Sequence, residues 1–198
     1  MSAVGGRVLA PGGVYTADAI GDQLRLGRRS VRDAMIELAS EGVVEVVSEH
    51  RFRIGAPTVA ELREMIEIRV LLEVPAIRRV AERGLSDADL EYLHSLADRT
   101  LEAARSRDVL RYINADMDLH LELVRFAGND QTVEVVRVLR SRSRLHGLLD
   151  EDLPRFMLDS AMEHSELLGL VGDGSSAAAS DLLARHISRV AAGWTTPG

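Results

Sequence analysis

Residues 16–47 read TADAIGDQLRLGRRSVRDAMIELASEGVVEVV, and this stretch decides the fold of the N-terminal part of the chain. Apolar residues recur in it at spacings of three and four, which predicts two short helices separated by a Leu-Gly turn. Thr16 belongs to the residue types that cap helix N-termini, so the first helix should begin just after it. The second helix should cover 28–40, because Gly42 follows as a terminator.

Two short segments with strand-forming residues come next, at 43–47 and 51–54, and the polar residues between them predict a hairpin turn. Two helices followed by a β-hairpin are typical of a winged helix-turn-helix. The sequence Gly55-Ala56-Pro57 then marks a boundary. We therefore predict a winged helix-turn-helix domain over 1–56 and a second domain over 57–198.

The second domain is predicted to be entirely helical. Its apolar residues keep helical spacing in six segments separated by capping residues, glycines and a proline. These segments are 59–84, 87 to about 101, 109–126, 130–149, 155–171 and 176–192. The predicted fold class is therefore mainly α, with a winged helix-turn-helix followed by an all-α, six-helix antiparallel bundle.

Charge is unevenly distributed along the chain. The net charge is −7, and all 24 basic residues are arginines. Residues 1–57 hold seven arginines and seven acidic residues, whereas residues 58–198 hold seventeen arginines against twenty-four acidic residues. Clustered arginines in a neutral small domain are compatible with DNA binding, but the acidic bundle should face away from nucleic acid.

The composition also excludes several classes of protein. The chain has no cysteine, so disulfides and thiolate metal ligands are impossible. No apolar run reaches the roughly 18 residues that span a bilayer, and the N-terminus lacks the apolar segment of a signal peptide. We expect a cytoplasmic protein without membrane contact.

Four residues of the predicted bundle have the types and spacing of a metal site. Asp116 and His120 lie four residues apart and so share one face of a helix. His164 and His186 follow in two later helices, from which they can close the site. One carboxylate and three imidazoles suit Zn, Ni or Mn. The alternative is that these histidines are ordinary core or solvated residues.

Two blocks of sequence resemble a known family. Residues 9–12 and 24–42 are similar to the DNA-binding signature of GntR-type bacterial regulators. Later residues are similar to landmarks of the helical FCD ligand-binding domain of the FadR subfamily, and six helices make the chain look most like its VanR-type branch. These landmarks are 67–69, 72–73, Asp116 with His120, 128–129, 163–164 and 185–186.

The resemblance implies a DNA-binding surface on the second helix and the wing. Arg28 and Arg32 match the family's DNA-contacting positions on the helix, and His50 and Arg51 lie at the wing tip. The surface also includes Arg29 and Ser30, at positions where the family usually has Thr and Pro. Arginines on the first turn of a recognition helix can donate two hydrogen bonds to guanine or contact phosphate. The alternative is a solvated helix face.

Three further departures from the family pattern bear on DNA binding. Gly27 replaces the usual Ser, and Arg51 replaces the usual Gly of the wing. The family's first helix precedes the Pro11-Gly12 motif, and only ten residues precede that motif here, so that helix should be short or absent. A regulator-like protein that has lost DNA binding is therefore an alternative.

The resemblance also implies a metal and an effector. The family's metal ligands match Asp116, His120, His164 and His186. A small carboxylate is the implied effector, and Arg69 matches the arginine that would pair with it. For Arg69 the alternative is a salt bridge with Glu73, one helical turn away.

The predicted function is a homodimeric repressor that binds double-stranded operator DNA. A divalent metal, Zn first with Ni and Mn as alternatives, would bind a small organic acid that controls operator affinity. The competing interpretation is a helical metalloenzyme acting on a small organic acid, because zinc with an open position activates water. Glu163 adjoins His164 but projects about 100° away from it on a helix, so no general base is obvious and we expect no enzyme.

Overall fold

The computed structural model describes residues 9–147 and 153–192, with side chains over 9–143 and 156–189. These residues form eight helices and three strands, which confirms the predicted fold class. Contacts divide the described residues into two compact units, one of 9–58 with 140–147 and one of 59–139 with 153–192. Residues 1–8, where a preceding helix would lie, are outside the described residues.

The first unit holds the winged helix-turn-helix pattern. Its elements are β1 (Val14–Thr16), α1 (Ala17–Leu24), α2 (Arg28–Ser40), β2 (Val44–Ser48) and β3 (Arg51–Ile54). The three strands form an antiparallel sheet in the order β1-β3-β2. Both helices and the hairpin match the sequence prediction, whereas β1 was missed because three residues are too few to show a strand period.

Local hydrogen bonds fix both ends of α1. The Thr16 hydroxyl oxygen accepts the Ala19 N–H at 3.1 Å, which caps the N-terminus as the sequence predicts. The helix ends at Leu24, and the next residue, Arg25, donates its backbone N–H to the Gly21 carbonyl oxygen and takes the left-handed conformation with φ 56°. The chain therefore turns sharply before α2, and the buried residues of both helices pack against Phe52 and Ile54 of β3.

The second unit is built from helices throughout its described residues. The helices are α3 (Val59–Arg83), α4 (Asp87–Arg105), α5 (Val109–Arg125), α6 (Asp130–Gly147), α7 (Leu153–Gly172) and α8 (Ser176–Ala192). All six predicted helices are present, although the predicted end of the fourth lies outside the described residues. Contacts group the end of α6, from Arg140, with the first unit. Within the described chain, no helix is long and apolar enough to cross a bilayer.

Helix packing in the second unit creates a shared interior. α3 packs along α8, α4 lies against α5 and α7, and α7 contacts α8. Leu62, Ile77, Leu93, Leu119 and Leu168 are fully buried in this interior. Burial of each such side chain contributes about 1.5–3 kcal/mol. Polar groups on the same helix faces are consequently held away from water and must satisfy one another.

Candidate metal centre

Four polar side chains from three helices meet inside the second unit. Asp116 and His120 lie one turn apart on α5, His164 lies on α7, and His186 lies on α8. Each offers one potential ligand atom, and these four atoms lie within 4.8 Å of one another. The structure thus brings together all four residues that the sequence suggested as metal ligands.

The facing atoms are the three Nε2 nitrogens and Oδ1 of Asp116. His164 Nε2 lies 3.3 Å from His186 Nε2 and 3.4 Å from Asp116 Oδ1. His120 Nε2 lies 3.8 Å from the same carboxylate oxygen. Zinc holds nitrogen and oxygen ligands at about 2.0–2.2 Å, so two ligands of one ion lie roughly 3.0–3.5 Å apart. The observed spacing is close to that of atoms around a single ion.

The Thr100 hydroxyl fixes the orientation of His164. Thr100 Oγ1 donates to the Ala97 carbonyl oxygen at 2.7 Å, so its proton is already used. Its lone pair can therefore accept a hydrogen bond from His164 Nδ1, which lies 3.1 Å away. Both residues are fully buried. His164 consequently carries its proton on Nδ1 and directs the Nε2 lone pair towards the cluster.

A buried ion pair fixes His120 in the same way. Glu73 on α3 accepts from His120 Nδ1 at 3.0 Å through Oε2. Its other oxygen accepts from Arg69 Nε at 2.7 Å, and both side chains are almost fully buried. The salt bridge that the sequence offered as the alternative for Arg69 is therefore present, and Glu73 is an orienting residue that the sequence argument missed.

Glu163 on α7 is the partner of His186. Its Oε2 accepts from His186 Nδ1 at 2.8 Å and also from Arg189. Partial burial would raise the pKa of Glu163, but hydrogen bonds and charge from His186 and Arg189 outweigh it and hold that pKa below its ordinary value. Arg189 also lies over the Phe156 ring, 5.6 Å from its centre. Glu163 adjoins His164 in sequence, and it orients the third imidazole.

The three partners select one tautomer for all three imidazoles. In the neutral form of each ring, Nδ1 carries the proton that its partner accepts, so Nε2 carries a lone pair. Three buried lone pairs and a carboxylate oxygen aimed at one point repel each other unless a proton or a metal cation lies between them. Nitrogen and oxygen ligands supported by such outer hydrogen bonds suit a divalent transition metal. The donor set therefore fits the implied metal.

The first unit carries its candidate residues on the surface. Those on the first turns of α2 are all exposed, namely Arg28, Arg29, Ser30 and Arg32. The three arginines line an open concavity together with Asp33 and Ile36, which the sequence argument did not single out. Arg28 Nε lies 3.3 Å from Asp18 Oδ1 on α1 in an exposed ion pair. The surface of α2 is thus basic, polar and accessible.

The wing supplies the remaining two candidate residues. His50 lies in the turn between β2 and β3, and Arg51 begins β3; both are exposed. Arg53 pairs across the hairpin with Glu45. The strand register is irregular between Val46 and Ser48, next to this turn. The hairpin therefore presents one histidine and one arginine to solvent at its tip.

Comparison with known proteins identifies the second unit. The profile of the FCD domain matches residues 64–189. The chain is 24% identical over 169 residues to the Nta operon transcriptional regulator of Aminobacter aminovorans, covering 84% of this chain and 77% of that protein. It is 25% identical over 191 residues to the transcriptional repressor NanR of Edwardsiella tarda (strain FL6-60), covering 86% and 72%.

Solved structures share the fold. E. coli McbR/YncC superimposes with a TM-score of 0.75 at 22% identity, covering 94% of this chain and 89% of that one. A putative GntR transcriptional regulator from Rhodococcus sp. RHA1 gives a TM-score of 0.73 at 20% identity, covering 98% and 94%. The likeness extends over both units of this chain and not over the helical unit alone.

Proposed function

Because this chain belongs to the FCD-domain family of GntR-type transcriptional regulators, we propose that it is a repressor whose operator affinity is set by a small carboxylate bound at a metal centre. The proposed ligands are Asp116, His120, His164 and His186. One observation carries the proposal: three buried Nε2 lone pairs and a carboxylate converge, and each Nδ1–H has its own acceptor.

The proposed ion is Zn, with Ni and Mn as alternatives that also accept nitrogen and oxygen ligands. Four protein ligands leave open positions on an ion that takes six, and a carboxylate or water can fill them. Asp116 is the one member of the set that is only half-buried, so solvent reaches the cluster beside it.

The charge around the cluster favours an anion as effector. Glu73 is paired with Arg69, and Glu163 is paired with Arg189, so these four charges cancel. Asp116 and a divalent ion then leave one net positive charge in a largely buried site. A small carboxylate would neutralise that charge while supplying oxygen ligands. Arg69 stays a proposed effector residue, because its Nε donates to the Glu73 carboxylate that also accepts from His120 Nδ1, which keeps its positive charge near the proposed centre.

The proposed DNA-binding residues are the exposed ones of the first unit. On α2 and at the wing tip these are Arg28, Arg29, Ser30, Arg32, His50 and Arg51. Arginines on the first turns of α2 suit guanine edges or phosphates in the major groove. As a homodimer the protein would read two half-sites related by its own symmetry, and its mass in solution should be twice that of one chain.

The metalloenzyme alternative has less support from the same geometry. A hydrolytic zinc site needs a base within reach of the activated water. The two carboxylates beside the ligands, Glu73 and Glu163, each accept from an imidazole and from an arginine. Both are thus used to orient ligands, and the relatives named above are regulators.

The test is operator binding by the metal-loaded full chain. Fluorescence anisotropy with labelled DNA from upstream of its own gene would give the affinity for DNA without added carboxylate and with citrate or a dicarboxylate. The same affinities would be measured again after the metal has been removed by a chelator. We expect tight binding that the carboxylate changes at least tenfold, and no carboxylate response in His164→Ala. Equal affinity with and without saturating carboxylates would reject effector control, and absence of DNA binding would favour the alternative of a protein that has lost it.

A further inference from the structure

The outer partners of the three imidazoles differ in their access to water. Glu73, which orients His120, has a side chain 1% exposed, and Thr100, which orients His164, is 0% exposed. Glu163, which orients His186, is 21% exposed, and its arginine, Arg189, is 39% exposed. Among these partners, solvent therefore reaches only those of His186.

The His186 partners also join two helices at the cluster. Glu163 belongs to α7, whereas His186 and Arg189 belong to α8. One carboxylate oxygen accepts from both the imidazole and the guanidinium. Arg189 lies over the ring of Phe156, which is on α7 two turns before Glu163. The Glu163 carboxylate on α7 is thus held by two donors from α8.

We propose that Glu163, held by Arg189, is the positioning residue of His186, and that this pair sets how fast the metal ion leaves and enters the centre. The inference rests on the metal centre under Proposed function. A metal ion can leave only when its ligands dissociate one after another. An imidazole dissociates when its ring rotates away from the ion.

The cost of turning differs between the rings. If His120 or His164 turns, a fully buried carboxylate or hydroxyl loses its partner in a dry interior, which is costly. If His186 turns, water can reach Glu163 and replace the lost hydrogen bond. Asp116 also reaches solvent, but it is one of the four ligands, and its exchange for water leaves three nitrogens on the ion. His186 is therefore the imidazole that yields first.

Substitutions at the pair should speed metal release in a fixed order. Glu163→Ala removes the acceptor and the charge, and loss of such an outer partner typically costs 10–100-fold in metal affinity. Glu163→Gln keeps an oxygen that accepts from Nδ1 but loses the ion pair, so it should recover part of the effect. Arg189→Gln leaves the carboxylate in place and should have the smallest effect.

The experiment measures metal release from the full chain. Protein loaded with Co²⁺ is mixed with excess EDTA, and the loss of the Co²⁺ ligand-field band gives the dissociation rate. Glu166→Gln and Arg185→Gln are matched controls, because both residues are exposed on the same two helices. The position of the Co²⁺ band before mixing reports the geometry of the ligands. A positioning role of Glu163 predicts that the band shifts in Glu163→Ala, whereas a purely structural role predicts no shift.

We expect release 10–100-fold faster in Glu163→Ala, less in Glu163→Gln, and no change in the controls. Should Glu163→Ala fail to fold, Arg189→Gln carries the test with a smaller acceleration. Release at the parent rate in both variants, or faster release in Thr100→Val than in Glu163→Ala, would overturn the role of the pair alone. A parent chain that binds no metal would instead overturn the centre, and this inference with it.

Discussion

Helix α2 exposes its arginines to water, whereas the second unit buries the three histidines of the candidate metal cluster. On α2, Arg29 and Arg32 are exposed. Their surroundings within the protein therefore do not indicate which ligand they bind. Each imidazole of the cluster has a named partner, and the orientation of each Nε2 follows from that partner. The chemistry of a buried site can therefore be inferred from its hydrogen bonds, whereas an exposed site indicates mainly the charge of its ligand.

The same contrast exists within α3. Arg69 pairs with Glu73 and Arg78 pairs with Glu82, both over four residues, with Nε–Oε1 distances of 2.7 and 2.8 Å. The side chains of the first pair are 5% and 1% exposed, and those of the second are 64% and 53% exposed. The Arg–Glu geometry is nearly identical, so a difference in their effect on stability comes from burial and from the additional hydrogen bond between Glu73 and His120.

The largest expected loss of stability comes from breaking the buried pair of Arg69 and Glu73. Arg69→Met leaves the Glu73 carboxylate buried without its arginine, and removing one partner of a buried ion pair costs about 3–5 kcal/mol. Urea denaturation of the metal-free protein should show this loss. Arg78→Met, at the exposed pair on the same helix, should leave the unfolding midpoint unchanged.

A double variant sharpens this result. Arg69→Met with Glu73→Gln removes both charges, so it should recover part of the stability lost in the single variant. Equal denaturation midpoints for Arg69→Met and Arg78→Met would show that burial does not determine the strength of these pairs.

Metal removal should affect one unit and spare the other. Free metal at 1,000-fold above its Kd stabilises the bound state by about 4 kcal/mol, or roughly 8–16 °C in Tm for a chain of this size. Hydrogen exchange of the metal-free protein should accelerate in α5, α7 and α8 and stay unchanged in α1 and α2. Equal acceleration in both units would contradict a centre confined to the second one.

On the exposed side, substitution should change binding without changing stability. Arg32→Ala should weaken operator binding by about 1–3 kcal/mol, the value of one good base contact, with the same Tm as the parent. Arg105→Ala, an exposed arginine at the end of α4, is the control. Operator affinity that stays at the parent value in Arg32→Ala would remove this arginine from the proposed surface.

The smallest expected effect concerns a neutral partner. Thr100→Val keeps the volume but removes the acceptor of His164 Nδ1–H, so the ring loses its fixed tautomer. We expect metal affinity to fall by about tenfold, the lower end for outer partners. Competition with a chromophoric chelator measures this. A Thr100→Ser variant, which keeps the hydroxyl, should bind metal nearly as the parent does.

Sequence alone predicted much of the fold because its signals are local. Thr16 and Ser86 each cap the helix that directly follows, and their side chains accept N–H groups three residues on. The Asp116 and His120 spacing is equally local. The orienting residues could not be predicted, because Glu73, Thr100 and Glu163 act on rings 47, 64 and 23 residues away in sequence. Only helix packing brings them together.

The metal content of untagged protein tests the central claim most directly. Elemental analysis would compare the parent with His164→Ala and with His94→Ala, a histidine outside the cluster. We predict about one Zn, Ni or Mn ion per chain in the parent and in His94→Ala, and loss of the ion in His164→Ala. A parent without metal, even after reconstitution with each of these ions, would contradict the proposed centre.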